Sequence, residues 1–140
     1  MSRTLALVLT LALAGCASAP PTGPVTEPEI YPDRTTPEAT WRSFLWAWRT
    51  GDVEILLRTT GWQVHARLRK QLEANTEAEV AEFYRDDALR VRDAEWTVRG
   101  ADLAYLRVVL SSSKVDRVEV EFSFVERPDG WIVTQQRTLR

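Results

Sequence analysis

The stretch TPEATWRSFLWAWRTGD, Thr36 to Asp52, predicts how the folded part of this chain begins. Thr36 is a favourable N-cap residue, and the proline that follows it is tolerated in the first turn of a helix. Apolar residues then recur at i, i+3, i+4 and i+7 along one helix face: Trp41, Phe44, Leu45 and Trp48. Gly51 supplies a helix end. The stretch therefore predicts an amphipathic helix whose aromatic face packs against another element.

Three further helices are predicted before residue 90. Asp52 is placed to cap a short second helix, and a third runs from about Gly61 to Ala74. The predicted apolar face of the third helix carries Trp62, His65, Leu68 and Leu72. Thr76 and Glu79 have the spacing of a capping box, which starts a fourth helix. The predicted apolar stripe of this fourth helix is Val80, Phe83 and Tyr84.

Beyond Leu89 the spacing of apolar residues changes from helical to alternating. The alternation predicts four strands that contain Trp96 and Val98, Leu106 to Leu110, Val118 to Phe124, and Trp131 to Val133. The run Arg127-Pro128-Asp129-Gly130 predicts a hairpin turn before the last strand. One face of the middle strands is apolar and the other charged, so helices must cover one face of the sheet. We therefore expect an α+β domain in which N-terminal helices pack on a curved antiparallel sheet of about four strands.

The first residues form a short apolar run that ends in small residues and the chain's one cysteine, Cys16. The apolar run Leu5 to Leu13 is too short to span a bilayer, which takes about 20 residues. Leu13-Ala14-Gly15-Cys16 resembles the lipobox, in which the cysteine is acylated and the peptide before it is removed. Because Ala17 and not Asp follows, the resemblance implies an outer-membrane protein facing the periplasm. The alternative is an ordinary signal peptide cleaved after Ala17 or Ala19, which leaves no anchor.

The chain accordingly divides into three parts: a signal peptide over residues 1–15, a lipidated Cys16 with a tether over 16–35, and a domain over 36–140. The tether contains five prolines and almost no aliphatic residues, a composition that favours extended conformations. Within it, Ile30 and Tyr31 are candidates for docking on the domain.

Two phrases resemble nuclear transport factor 2-like domains. They are TPEATWRSFLWAWRTGDVEILLRTT, Thr36 to Thr60, and PDGWIV, Pro128 to Val133. The resemblance implies a cone-shaped domain with a pocket at its open end and homodimers formed through the sheet. Members of that family include ketosteroid isomerase-like and polyketide cyclase-like enzymes, and also domains that only bind or assemble.

Composition argues against several function classes. With 18 basic and 20 acidic residues the net charge is −2, so no dominant positive field attracts nucleic acid. One histidine and one cysteine cannot by themselves build a structural zinc site. The chain lacks the glycine-rich and metal-binding motifs of nucleotide, redox and zinc enzymes. We therefore expect no metal and no cofactor.

A pocket inside the domain has few candidate residues. His65 can serve as a general base, or simply lie at a helix border with one backbone partner. Tyr84 and Tyr105 can donate hydrogen bonds, and Trp96 lies on a predicted inward face. Isomerases of this type need a carboxylate in an apolar cavity, and no Asp or Glu interrupts the inward strand positions. The sequence therefore favours a domain without catalytic residues.

Two surfaces are candidates for a partner. Trp46 lies off the main stripe of the first helix, where an exposed tryptophan can anchor a partner. The charged face of the sheet is either a solvated surface or a dimer contact; its residues are Arg107, Glu119, Glu121, Gln135 and Arg137.

These observations lead to one hypothesis and two alternatives. We expect a lipid-anchored envelope protein whose domain binds a small apolar ligand or an envelope protein without catalysis. The alternatives are an isomerase- or cyclase-type enzyme that acts on a small apolar substrate, and an accessory subunit of a cell-envelope complex.

Overall fold

The computed structural model describes residues 26–111 and 117–139 and contains helices followed by strands. The helices are α1 (Pro37–Thr50), α2 (Val53–Thr59), α3 (Trp62–Ala74) and α4 (Glu77–Ala88). The strands are β1 (Val91–Arg99), β2 (Leu103–Leu110), β3 (Val118–Arg127) and β4 (Gly130–Thr138). All neighbouring strands pair antiparallel in the order β1-β2-β3-β4. The predicted α+β organisation, with helices first and a four-stranded sheet after them, is confirmed.

The helix boundaries follow from local capping. The Thr36 hydroxyl accepts a hydrogen bond from the backbone N–H of Ala39 at 3.1 Å, and Gly51 closes α1 with a left-handed φ of 69°. The Asp52 carboxylate caps α2, and Thr76 forms the predicted capping box at the start of α4. The predicted starts of these three helices are therefore confirmed.

Aromatic rings form the centre of the core, between α1 and β3. The ring of Phe122 lies 5.6 Å from that of Trp41, 5.8 Å from that of Phe44 and 6.0 Å from that of Trp48. All four side chains are at most 6% exposed. Offset and edge-on arrangements at these distances add to the free energy gained from burial.

The same packing overturns the predicted cone with an open-ended pocket. The resemblance placed a pocket at the open end of the cone, but the interior that such a pocket would enter, between the first helix and the sheet, is filled by these rings and by Phe124, whose centroid is 6.5 Å from that of Trp41. Helices and sheet therefore meet as two closely packed layers. The nuclear transport factor 2-like cone was the wrong prediction, and the coarser α+β description stands.

The predicted apolar faces of α3 and α4 are rotated from the observed ones. The buried residues of α3 are Val64 and Leu68, whereas Trp62 is 55% exposed. In α4 the buried residues include Val80 and Ala81, whereas Phe83 is 54% exposed. Aliphatic residues, Leu68 among them, thus face the core, and two large aromatic rings lie on the surface.

Strand β1 also departs from simple alternation. A register shift between Trp96 and Val98 breaks the regular pairing with β2, and Val98 is 45% exposed. Such irregularities alter which face a side chain occupies. The ring of Trp96 packs 5.1 Å from that of Phe124, while Val98 pairs with Tyr105.

The segment before α1 is attached to the domain. The Tyr31 hydroxyl donates a hydrogen bond to the Asp52 carboxylate at 3.0 Å. The backbone N–H of Asp33 donates to the Ser43 hydroxyl at 2.8 Å. Ile30, by contrast, is 66% exposed. Tyr31 therefore docks as anticipated, and Ile30 does not.

The predicted signal peptide and acylated Cys16 lie outside the described residues. Within residues 26–111 and 117–139, every helix is too short or too polar to cross a membrane.

The position of the core leads to a prediction on stability. Phe122→Ala should lower the free energy of unfolding by roughly 3–5 kcal/mol, because it removes a ring packed among three others. Phe83→Ala, the same substitution at an exposed site, should cost less than about 1 kcal/mol. Urea unfolding followed by circular dichroism measures both values. Equal losses would contradict the observed faces of the helices.

Candidate ligand-binding cleft

Arg34 ties the segment before α1 to the turn between β3 and β4. Its Nε donates to the carbonyl of Trp131 at 2.9 Å, and its Nη2 donates to the carbonyl of Gly130 at 3.3 Å. Its own carbonyl accepts from the N–H of Trp131 at 2.8 Å. Its Nη1 forms an ion pair with Asp129 at 3.1 Å. The Arg34 side chain is only 17% exposed, so this guanidinium is held in one position.

The turn itself needs glycine at residue 130. Gly130 has a φ of 118°, which side chains other than glycine rarely allow. A Cβ atom at Gly130 would lie 2.8 Å from the carbonyl oxygen of Arg34. The close approach of Arg34 to the turn therefore depends on this glycine.

Beside Arg34 lies a cleft of about 320 Å³, between the start of α3 and the β3–β4 turn. It is lined by Arg34, Arg58, Thr60, Gly61, Trp62, His65, Arg127, Asp129 and Ile132. The lining residues come from three separate parts of the chain, which only the tertiary structure brings together. Three of them are arginines, against a single carboxylate.

The floor of the cleft is fixed by contacts between Gly61 and β4. The N–H of Gly61 donates to the carbonyl of Val133 at 2.8 Å, and Thr60 forms a parallel bridge with Val133. A Cβ at Gly61 would meet Ile132 Cδ1 at 2.5 Å, so a glycine permits this close contact. The strand edge is thus closed by residues 60–61, and the next residue begins α3.

Trp62 is held in an unfavourable backbone conformation at this point. Its φ is 46°, in the left-handed region, which costs a non-glycine residue roughly 1–2 kcal/mol. Despite that cost, its side chain is 55% exposed and lines the cleft. Strain of this kind concentrates at functional sites. A large ring on the surface is therefore available for contact with a ligand.

His65 is oriented by a backbone group. Its Nδ1 lies 3.2 Å from the carbonyl oxygen of Leu57, which only accepts, so Nδ1 is the donor of this hydrogen bond. His65 lines the cleft as well. A hydrogen bond to one backbone group is what the second of the two interpretations of His65 predicted.

The charges of the cleft are unevenly paired. The hydrogen bond and positive charge of Arg34 hold the pKa of Asp129 below its ordinary value. Neither Arg58 nor Arg127 forms an ion pair with any other described residue. The cleft therefore presents an excess of positive charge, next to an exposed indole ring.

The four residues predicted for a pocket do not come together. His65 lines the cleft, but Tyr84 lies on α4, where its ring packs edge-on at 5.4 Å from that of Phe83. Burial raises the pKa of Tyr84. Trp96 lies on β1 beneath the guanidinium of Arg99, which is 5.2 Å from its ring centre. Tyr105 lies on β2, opposite Ser123 of β3.

The two surfaces predicted to contact a partner have little free binding capacity. Trp46 is half-buried on α1. On the charged face of the sheet, Arg107 pairs with Glu95 at 3.2 Å and Arg137 pairs with Glu121 at 2.7 Å. These charges satisfy one another across neighbouring strands. Of the three arginines of the cleft, by contrast, only Arg34 forms an ion pair with another described residue.

Arg34, Arg58 and Trp62 were missed from the sequence. Arg34 lies about a hundred residues from the turn that it binds, and no spacing rule connects the two. Trp62 was assigned to a buried helix face because periodicity assumes helical dihedral angles at every position. A glycine followed by a tryptophan at a helix start is the one local signal of the site.

Comparison with known proteins gives little further information. No family model and no curated protein matches the chain. One matching solved structure is the solution structure of a SEC-C motif containing protein from Rhodopseudomonas palustris. It is 11% identical, with a TM-score of 0.45, and the alignment covers 75% of this chain and 80% of that one.

This result corrects the predicted family. The matched structure is described as a SEC-C motif protein and not as a nuclear transport factor 2-like domain, so by this comparison the predicted membership is wrong. A likeness at this level carries no information on what the chain binds.

The Arg34 contact leads to a prediction on acidity. Arg34→Met should raise the pKa of Asp129 toward its ordinary value, because the two largest causes of the depression, the hydrogen bond and the positive charge of Arg34, are removed. Carbon-13 NMR titration of the carboxyl group measures this change. Since the pKa of Asp129 is depressed in the folded protein, its ion pair stabilises the wild type above the unfolded-state pKa. That contribution is lost as the pH falls through the folded-state pKa, and the variant should lack it.

Proposed function

We propose that the domain is a non-catalytic binding module that takes up an anionic ligand bearing a flat apolar group. The observation that carries this proposal is the cleft of about 320 Å³, in which three arginines and the exposed Trp62 line one surface. The guanidinium group is suited to carboxylates and phosphates because its donors form a planar fork. An indole ring offers a flat apolar face to the rest of the ligand.

The arginines have distinct roles in this proposal. Arg34 is fixed by two backbone carbonyls and by Asp129, so it supplies positive charge without losing conformational freedom on binding. Arg58 is exposed, in the last turn of α2, and has no ion pair with another described residue. It is therefore the residue that we expect to contact the anion directly.

Two features favour binding over catalysis. A general base must keep its proton affinity near the working pH. The carboxylate of the cleft, Asp129, has a pKa held below its ordinary value and is thus a weak base. His65 is oriented by the carbonyl of Leu57, and among the residues that the structure describes no carboxylate pairs with it as in a catalytic dyad.

The second part of the proposal concerns location. We propose that the chain is a lipoprotein of the bacterial envelope, anchored through acyl groups on Cys16 and facing the periplasm. The support is the run Leu13-Ala14-Gly15-Cys16 after a short apolar segment. Two or more acyl chains hold a protein on a membrane stably, since each buried CH₂ contributes about 0.8 kcal/mol.

The cleft can be tested with a simple aromatic acid. Phenylacetate should bind the full chain carrying Cys16→Ser about tenfold more tightly than the neutral phenylacetamide, because a charge-assisted hydrogen bond is lost in the amide. Arg58→Gln should remove that preference, and Arg92→Gln, which changes an exposed arginine of β1, should preserve it. Isothermal titration calorimetry measures the constants. Equal affinity for acid and amide would refute the proposal.

Trp62 allows binding to be separated from stability. Trp62→Asn should abolish detectable binding of phenylacetate, because the ring is removed. Its free energy of unfolding should change by less than about 1 kcal/mol, since asparagine tolerates the left-handed conformation. Trp131→Asn, at a site 5% exposed, should cost roughly 3 kcal/mol or more. A Trp62→Asn protein that unfolds as easily as Trp131→Asn would show that the ring is structural.

The anchor has its own test. Cells that express the wild-type chain should incorporate labelled palmitate into it, and the protein should sediment with membranes. Cys16→Ser should lose both properties, whereas Ser18→Ala, a neighbouring substitution, should retain them. Unchanged labelling of the Cys16→Ser chain would rule out acylation at this cysteine.

A further inference from the structure

A second cavity shares part of its lining with the cleft. This second cavity has a volume of about 450 Å³. Arg34, Arg58 and Asp129 line both cavities, so the two are adjacent and have these charged residues in common. We call these two adjacent cavities together the joined groove.

The two ends of the joined groove are apolar. Trp62, 55% exposed, lines the first cavity, and Ile30, 66% exposed, lines the second together with Pro32. Exposed large apolar side chains that flank a ligand-sized groove indicate an interaction site more strongly than isolated ones do. Each cavity therefore adds apolar surface of its own to the charged residues that the two cavities share.

The charges in the middle favour an acidic occupant. The carboxylate of Asp33 already accepts hydrogen bonds from the N–H and the hydroxyl of Thr35, at 3.0 and 2.7 Å. The carboxylate of Asp129 is paired with Arg34. Arg58 borders both cavities and has no ion pair with any residue that the structure describes. A carboxylate in the groove thus has a cation available to it.

We propose that the joined groove binds an extended acidic peptide segment of another envelope protein. A carboxylate side chain lies at Arg58, and apolar side chains on either side of it contact Trp62 and Ile30. This proposal rests on the proposed function, since it extends the same cleft to a larger ligand. An acidic polysaccharide has the carboxylates but no apolar side chains to pack on Ile30 and Pro32, so the peptide is the better fit.

Calorimetry with two probes tests this inference on the full chain carrying Cys16→Ser. The first probe is the peptide acetyl-Leu-Glu-Glu-Phe-amide, with the glutamine peptide acetyl-Leu-Gln-Gln-Phe-amide as its neutral control. The second is phenylacetate, which is too short to contact Trp62 in the first cavity and Ile30 in the second at the same time. We expect the acidic peptide to bind at least tenfold more tightly than either the neutral peptide or phenylacetate.

Substitutions at the second cavity distinguish the two proposals. Ile30→Ser should weaken the acidic peptide about fivefold and leave phenylacetate unchanged. Leu139→Ser, which removes an exposed apolar side chain at the far end of β4, should affect neither probe. If Ile30→Ser leaves peptide affinity intact while phenylacetate still binds, the extended site is refuted and the proposed function survives. If phenylacetate does not bind the wild type, the proposed function itself fails.

A third probe separates peptide from polysaccharide. Tetragalacturonate carries four carboxylates without apolar side chains. It should bind more weakly than the acidic peptide and be insensitive to Ile30→Ser. Tighter binding of tetragalacturonate than of the peptide would overturn the peptide proposal in favour of an acidic polysaccharide.

Discussion

The contact of Phe122 with the rings of α1 is the interaction on which the rest of this structure depends. A sheet with one apolar face must be covered, and α1 carries the rings that cover it at centroid distances of 5.6–6.0 Å. That packing fixes where α1 lies over the sheet. Because Ser43 of α1 is hydrogen-bonded to Asp33, it also fixes the path of the preceding segment. The core thus determines that Arg34 reaches the β3–β4 turn.

The position of Arg34 follows from the packing of the core, and it places a positive charge at the edge of the cleft. Two of its donors are used on backbone carbonyls, which is a structural role, and the third faces Asp129 at the edge of the cleft. A guanidinium held this way is largely buried, and its charge is only partly offset by the exposed carboxylate. The same bonds that fasten the segment to the turn therefore set the electrostatic character of the neighbouring surface.

The sequence was informative wherever structure is local. Thr36 and Gly51 bound α1 through contacts within one helical turn, so pattern alone placed them correctly. Trp62 was misplaced because its backbone is set by tertiary contact: the chain must bring Gly61 against Ile132 before α3 begins, and periodicity carries no trace of that constraint. Arg34 was overlooked for the same reason, since its partners at residues 129–131 are close to it in space but far from it in sequence. Secondary structure was predictable, and the cleft was not.

The docking of the segment before α1 sets how far the site can reach. With the chain fastened from Tyr31 onward, the connection between the proposed anchor at Cys16 and the first wall of the joined groove, Ile30, is fourteen residues long. Fully extended, that connection spans at most roughly 50 Å. With Cys16 acylated as we propose, Ile30 would lie no farther than this from the bilayer surface. The joined groove would then be open to segments of proteins that are embedded in the same membrane or lie close to it.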